Sequence, residues 1–125
     1  MKRSGSAVRG QVNYHAGQAA EDIVAHTYQR CGQTVAERRW RGPGGEIDLI
    51  ARDGDAVVFI EVKKARTFDA AIQRLTRRQM DRICTSATAF VAGEPRGQLT
   101  DMRFDLALVN DAGEVRIVEN AFGGA

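Results

Sequence analysis

Glu46, Asp48, Glu61 and Lys63 fall inside GEIDLIAR and AVVFIEVKK, two segments that otherwise read as apolar strands. Charged groups on a sheet are either solvated or gathered for a purpose, since a carboxylate without a partner is costly to bury. Asp53-Gly54 stands between the two segments, and Asp-Gly flanked by such runs is among the best short hairpin signals. A two-residue turn there is expected to pair Arg52 with Asp55, Ile50 with Val57 and Glu46 with Glu61, with Asp48 and Glu61 as diagonal neighbours. Alternation then sets Glu46, Asp48, Phe59, Glu61 and Lys63 on one face, and Ile47, Leu49, Val58, Ile60 and Val62 on the other.

Both strands are apolar at nearly every remaining position, the pattern of strands covered on both faces. The acids are therefore expected to be half-buried and to repel unless a cation joins them. Hard oxygen donors beside a wet pocket suit Mg²⁺ or Mn²⁺, and zinc fits poorly because no Cys or His stands nearby. Lys63 shares the side of Glu61, where an ammonium can neutralise the acids, orient a water or stabilise charge on a phosphoryl oxygen. These are the parts of metal-assisted phosphodiester hydrolysis. The same spacing also fits a structural ion pair of Lys63 with Glu61 or Asp48, and spacing alone does not choose.

The surrounding elements can be read from periodicity. Residues 1–13 hold Lys2, Arg3 and Arg9 among Gly and Ser, which reads as a mobile basic tail, solubilising more than polyanion-binding. Residues 14–125 read as one domain. From Ala16, the residues Ala20, Ile23, Val24, Thr27, Tyr28 and Cys31 recur at helical spacing up to a glycine stop at Gly32. TVAERRWR is a weakly alternating strand ended by Gly42-Pro43-Gly44-Gly45. ARTFDAAIQ lacks a long enough pattern and reads as a loop. Thr76 and Gln79 then form a capping box, so a second helix starts at Arg77, with Met80, Ile83, Cys84, Ala87, Phe90 and Val91 on its apolar face. MRFDLALVN and EVRIVEN are two late strands. The order α-β-β-β-α-β-β predicts an α/β or α+β sandwich with a central mixed five-stranded sheet flanked by helices.

GGEIDLIARDG followed by VVFIEVKKAR resembles the YraN-like family of the PD-(D/E)xK nuclease superfamily, and the likeness runs from GQAAEDIVAHTYQRCG to RFDLALVNDAGEVRIVENAF. The resemblance implies a restriction-endonuclease-like fold. It implies Asp48 and Glu61 as metal ligands, the Val62 carbonyl as a third, and Lys63 as the cation that positions water. Glu21 matches the first-helix acid that joins such sites, although a solvent-facing glutamate fits its spacing equally well. Glu46 matches the GEIDLI segment as a supporting or alternate ligand. Arg66 comes one place later than in the E-V-K-x-R pattern of that family.

Composition sets outer bounds. With 125 residues, 43% hydrophobic and 27% charged, the chain has the balance of a soluble globular domain. It has no apolar run of membrane-spanning length, and a cytoplasmic location is the default. Cys31 and Cys84 lack metal-ligand spacing and read as buried free thiols. The net charge is only +2, but Lys64, Arg66, Arg74, Arg77, Arg78 and Arg82 cluster after the acidic site. Arg77 and Arg78 also open a helix, whose free N–H groups attract phosphate. Nucleic acid is the expected partner, DNA before RNA, held by its phosphates. Trp40 could stack on a base, but a lone strand tryptophan more often belongs to the core. The expected function is divalent-metal-dependent nuclease action. The alternatives are a nucleic-acid-binding accessory protein with a vestigial site and a structural subunit that touches no nucleic acid. Cutting two strands would call for a homodimer, for which the sequence marks no surface.

Overall fold

The computed structural model describes residues 5–122, with side chains from residue 18 onward. In chain order the elements are α1 (Gly5–Arg30), β1 (Thr34–Gly42), β2 (Gly45–Asp53), β3 (Ala56–Lys64), α2 (Phe68–Ile72), α3 (Arg77–Val91), a short 3-10 turn (Gly97–Leu99), β4 (Met102–Val109) and β5 (Val115–Val118). The strands form one five-stranded sheet in sequence order. Only β3 and β4 run parallel, with α2 and α3 in the crossover between them. The molecule is thus a mixed α+β protein.

Each strand face buries its own set of residues. On one face Ala20, Val24, Ala25 and Tyr28 of α1 pack on Leu49, Ala51, Val58, Ile60, Ala107 and Val109. On the other, Ile83, Ala87 and Val91 of α3 cover Ile47, Ile50, Val57 and Phe59, while Ala71 of α2 packs on Ala65, Leu106 and Leu108. Trp40 belongs to the α3 side, edge-on to Phe90 at 5.2 Å between ring centroids. Its ring is a packing group, as expected of a lone strand tryptophan.

α3 starts where its sequence signal stands: the Thr76 hydroxyl accepts from the Gln79 amide at 3.1 Å, and the Gln79 side chain accepts from the Thr76 amide. α2 was not expected. ARTFDAAIQ folds into one helical turn because Thr67 caps it, its side chain accepting from the Ala70 amide, and because Ala71 is buried. α1 begins at Gly5, ahead of the expected start at Ala16. The basic tail expected over residues 1–13 overlaps its first turns, and its side chains lie outside the described residues. Both cysteines are free as expected, but Cys31 is exposed, because it lies past the last helical residue, and Cys84 is half-buried.

The β2–β3 register corrects the sequence expectation. Asp53 pairs with Ala56, Arg52 with Val57 and Leu49 with Ile60, so Gly54 and Asp55 are the two loop residues. Gly54 has φ +61, whereas Asp55 is not among the positive-φ residues. A turn with glycine at its first central position suits that pattern, and it slides the register by two residues from an Asp-Gly turn. Because the slide is even, opposed residues still share a face, but Asp48 moves from diagonal to directly opposite Glu61.

Candidate functional site

The site forms where β2 and β3 separate. The paired ladder runs from the hairpin turn to Leu49 and Ile60 and stops. Two residues on, the Val62 amide donates to the Asp48 carboxylate at 2.8 Å, where regular pairing would have offered it a β2 carbonyl. The N–H and C=O of one strand residue point to the same edge, so the Val62 carbonyl also faces this gap.

The other side of β2 is irregular at the same level. Arg38 pairs with Leu49 and Trp40 with Ile47, while Arg39 between them has φ 52, a left-handed conformation rare for a side chain of its size. Alternation breaks here. Ile47 packs under α3 with Ile50, whereas Leu49 packs under α1, so the expected common face of Ile47 and Leu49 is not formed. Asp48 stands at this break, close enough to Glu21 of α1 to feel its charge and in one cleft with Gln79 and Arg82 of α3.

Glu61 and Lys63 follow Phe59 on the α3 side of β3 and form an ion pair of 3.1 Å, with side chains only 11% and 14% exposed. Desolvation, reinforced by the charge of Glu61 across the strands, pushes the Asp48 carboxyl up to about 7; the Val62 amide and Lys63 oppose that shift. Glu21 of α1 reaches toward the cluster but is held by Arg39, whose Nε donates to it at 3.1 Å. Burial raises the Glu21 carboxyl, the Arg39 bond lowers it, and the nearby charges of Asp48 and Glu46 raise it again.

A cleft of about 230 Å³ opens on this cluster, lined by Gly44, Gly45, Glu46, Asp48, Glu61, Gln79 and Arg82. Its wall is the turn between β1 and β2, fixed to α3 by one fully buried hydroxyl. Ser86 Oγ accepts from the Gly44 amide at 3.0 Å and donates to the Gly45 carbonyl at 2.8 Å. The contact is so close that a Cβ at Gly44 would lie 2.1 Å from the Arg82 carbonyl oxygen.

Of the residues singled out by sequence, Asp48, Glu46, Glu61 and Arg82 line the cleft, and Lys63 joins them through Glu61. Glu21 stands beside it. Lys64, Arg66, Arg74, Arg77 and Arg78 do not line it. Lys64 alternates onto the α1 side of β3, and Arg77 pairs with Asp81 at 3.5 Å beside a separate groove walled by Phe104 and Phe122. Gln79 and Ser86 were not recognised as site residues; the sequence shows the first as a cap and the second as a polar gap in an apolar stripe.

Among the described residues no three His, Cys, Asp or Glu side chains already converge as a metal-binding group. The donors of the cleft nevertheless fit a hard divalent ion by type and number. Mg²⁺ is content with one or two carboxylates and several waters, and here two carboxylates face each other, with burial and the charge of Glu61 raising the Asp48 carboxyl.

A second buried carboxylate went unnoticed in the sequence. Asp105 on β4 is 0% exposed and accepts from the Tyr28 hydroxyl at 2.7 Å, from Arg103 through two nitrogens at 2.8 and 3.0 Å, and from the Asn120 amide at 3.1 Å. Its signal was present, an acid inside the apolar strand RFDLALV with Arg103 two residues before it on the same face. Burial and the bond to Asp105 push the Tyr28 phenol well above its ordinary value.

Fold and site together define a small α+β protein with an acid-lined cleft at the splayed end of its sheet. The sequence matches the profile described as "Uncharacterised protein family UPF0102" over residues 20–109. It is 64% identical over 113 residues to a UPF0102 protein of Cereibacter sphaeroides, covering 90% of this chain and 97% of the relative. It is 56% identical over 117 residues to one of Ruegeria pomeroyi, covering 94% and 95%, and 42% identical over 112 residues to one of Dinoroseobacter shibae, covering 90% and 84%. The chain belongs to the UPF0102 family, to which the YraN-like resemblance points. No helix among the described residues is long and apolar enough to cross a membrane.

Proposed function

We propose that this protein is a divalent-metal-dependent nuclease of the PD-(D/E)xK superfamily, with a restriction-endonuclease-like fold, hydrolysing phosphodiester bonds of DNA more readily than of RNA. The observation that carries the reading is the facing pair Asp48 and Glu61 at the strand gap, with the Lys63 ammonium 3.1 Å from Glu61. Asp48, Glu61 and the Val62 carbonyl would hold Mg²⁺ or Mn²⁺, with Glu46 and Glu21 as outer or alternate acids. Bound there, the ion supplies Lewis-acid charge for a phosphoryl oxygen and a water of lowered pKa. Lys63, largely shielded from solvent, holds and orients the attacking water and steadies negative charge on the phosphoryl oxygens. The Val62 amide fixes one Asp48 oxygen, and the carboxyl also meets that of Glu61.

The Lys63–Glu61 ion pair also favours a second reading, a nucleic-acid-binding accessory protein whose site no longer cuts, because a neutralised glutamate is a weaker metal ligand. Cleavage of linear, branched and flapped DNA and RNA in Mg²⁺ or Mn²⁺ separates the two. The nuclease reading expects cleavage that falls on the order of 10³-fold in Lys63→Ala and Asp48→Ala. Cleavage undiminished in both variants refutes the site. Salt-sensitive binding without cleavage of any substrate favours the second reading.

A further inference from the structure

The sequence presents the basic residues after the acidic site as one patch, but the structure divides them by helical face. On α3, Gln79 and Arg82 line the acidic cleft, and Ser86, four residues beyond Arg82, holds the 44–45 turn that walls it. Arg77, Met80, Asp81 and Cys84 instead line the aromatic groove on another side of the same helix. Arg78 is exposed and lies four residues before Arg82, one turn along the same side. Four residues of helix rise about 6 Å, close to the interval between neighbouring phosphates on an extended nucleic-acid strand. Trp40, the ring the sequence offered for stacking on a base, is packed against Phe90 instead.

Building on the nuclease reading, we infer that α3 is a rail for a single phosphodiester strand, on which Arg82 grips the phosphate being cleaved and Arg78 grips its neighbour. Arg82 is then a catalytic residue, because it touches the reacting phosphoryl group from the α3 wall of the cleft that Asp48 and Glu61 also line. A guanidinium suits that task through paired donors that match two phosphate oxygens. Arg77, committed to Asp81 and the other groove, is not on the rail. Recognition is through the backbone, so base sequence matters little.

The test uses the full chain and a fluorescein-labelled single-stranded DNA, with binding followed by anisotropy in EDTA over a salt series and cleavage followed in Mn²⁺. Arg78→Ala and Arg82→Ala are each expected to reduce the slope of log affinity against log salt by about 0.7. Arg77→Ala reduces it less, and Arg96→Ala, at the hairpin-turn end of the molecule, leaves it unchanged. At saturating DNA, Arg82→Ala lowers the cleavage rate on the order of 10²-fold, and Arg78→Ala acts on KM alone. Arg82→Lys restores the slope but not the rate, a split that a merely structural role for Arg82 would not produce.

The inference is overturned if Arg82→Ala cuts at the wild-type rate, if Arg77→Ala costs as much slope as Arg78→Ala, or if the wild type binds no DNA in EDTA. Should the wild type bind but not cut, the nuclease reading fails by itself. The salt slopes then decide the rail: slopes reduced in Arg78→Ala and Arg82→Ala support it, and unchanged slopes refute it.

Discussion

Asp48 and Asp105 sit on inner strands of one sheet, and their surroundings treat them oppositely. Asp105 is enclosed by the Tyr28 hydroxyl, both donating nitrogens of Arg103 and the Asn120 amide, so its charge is matched and its lone pairs are used. Asp48 receives one backbone amide, faces Glu61, and lies at a strand gap that opens to a cleft. The first arrangement ties α1, β4 and the residues after β5 together. The second leaves an unmet demand for positive charge at an accessible place. Fold stability calls for the one, and binding of a cation or an electrophile calls for the other.

The same substitution at the two positions is expected to act with opposite signs. Asp105→Asn turns one of the two acceptors toward Arg103 into a donor and leaves a cation without its partner, so it costs about 3–5 kcal/mol of stability by denaturant unfolding. A loss below about 1 kcal/mol would remove the structural role assigned to Asp105.

Asp48→Asn keeps an oxygen for the Val62 amide and presents an amide to Glu61, which relieves repulsion. The sign follows from the raised carboxyl. The fold favours neutral Asp48, so that stability is fully present below the ordinary value of 3.8 and is lost as pH rises through about 7. Asp48 in the metal-free wild-type protein therefore gives up its contribution to stability between about pH 4 and pH 7. Asp48→Asn gains on the order of 1–3 kcal/mol over that protein at pH 8, and much less at pH 5. An Asp48→Asn protein that is less stable at pH 8 would place Asp48 with Asp105 as a structural acid.

Much of this contrast was open to reading from the chain. The capping box at Thr76 and Gln79 marked the start of α3 to the residue, and the apolar strands with their acids marked the site. The sheet order was expected only as mixed. The turn was misjudged because Asp53-Gly54-Asp55 lets glycine serve at either central position, and a choice between two turn types shifts every pair by two residues. The kink at Arg39 was invisible because nothing in the type of an arginine announces a positive φ; it arises from the packing of Trp40 and Ile47 on α3 while Leu49 packs on α1. α2 was missed because one turn is too short for periodicity and depends on Thr67 and the burial of Ala71. Asp105 carried the same signal as Asp48, an acid in a buried strand, and its partners Tyr28 and Asn120 come from distant parts of the chain.

As proposed above, the Asp48–Glu61 pair is a cation site. Titration of metal-free protein with Mn²⁺ at pH 8, followed by calorimetry, tests it without reference to substrate. The wild type is expected to bind Mn²⁺, and Asp48→Asn and Glu61→Gln are each expected to weaken that binding at least about 10-fold, the loss seen when even a supporting partner of a metal ligand is removed. Equal binding by the wild type and both variants, or no binding by the wild type, would contradict the account.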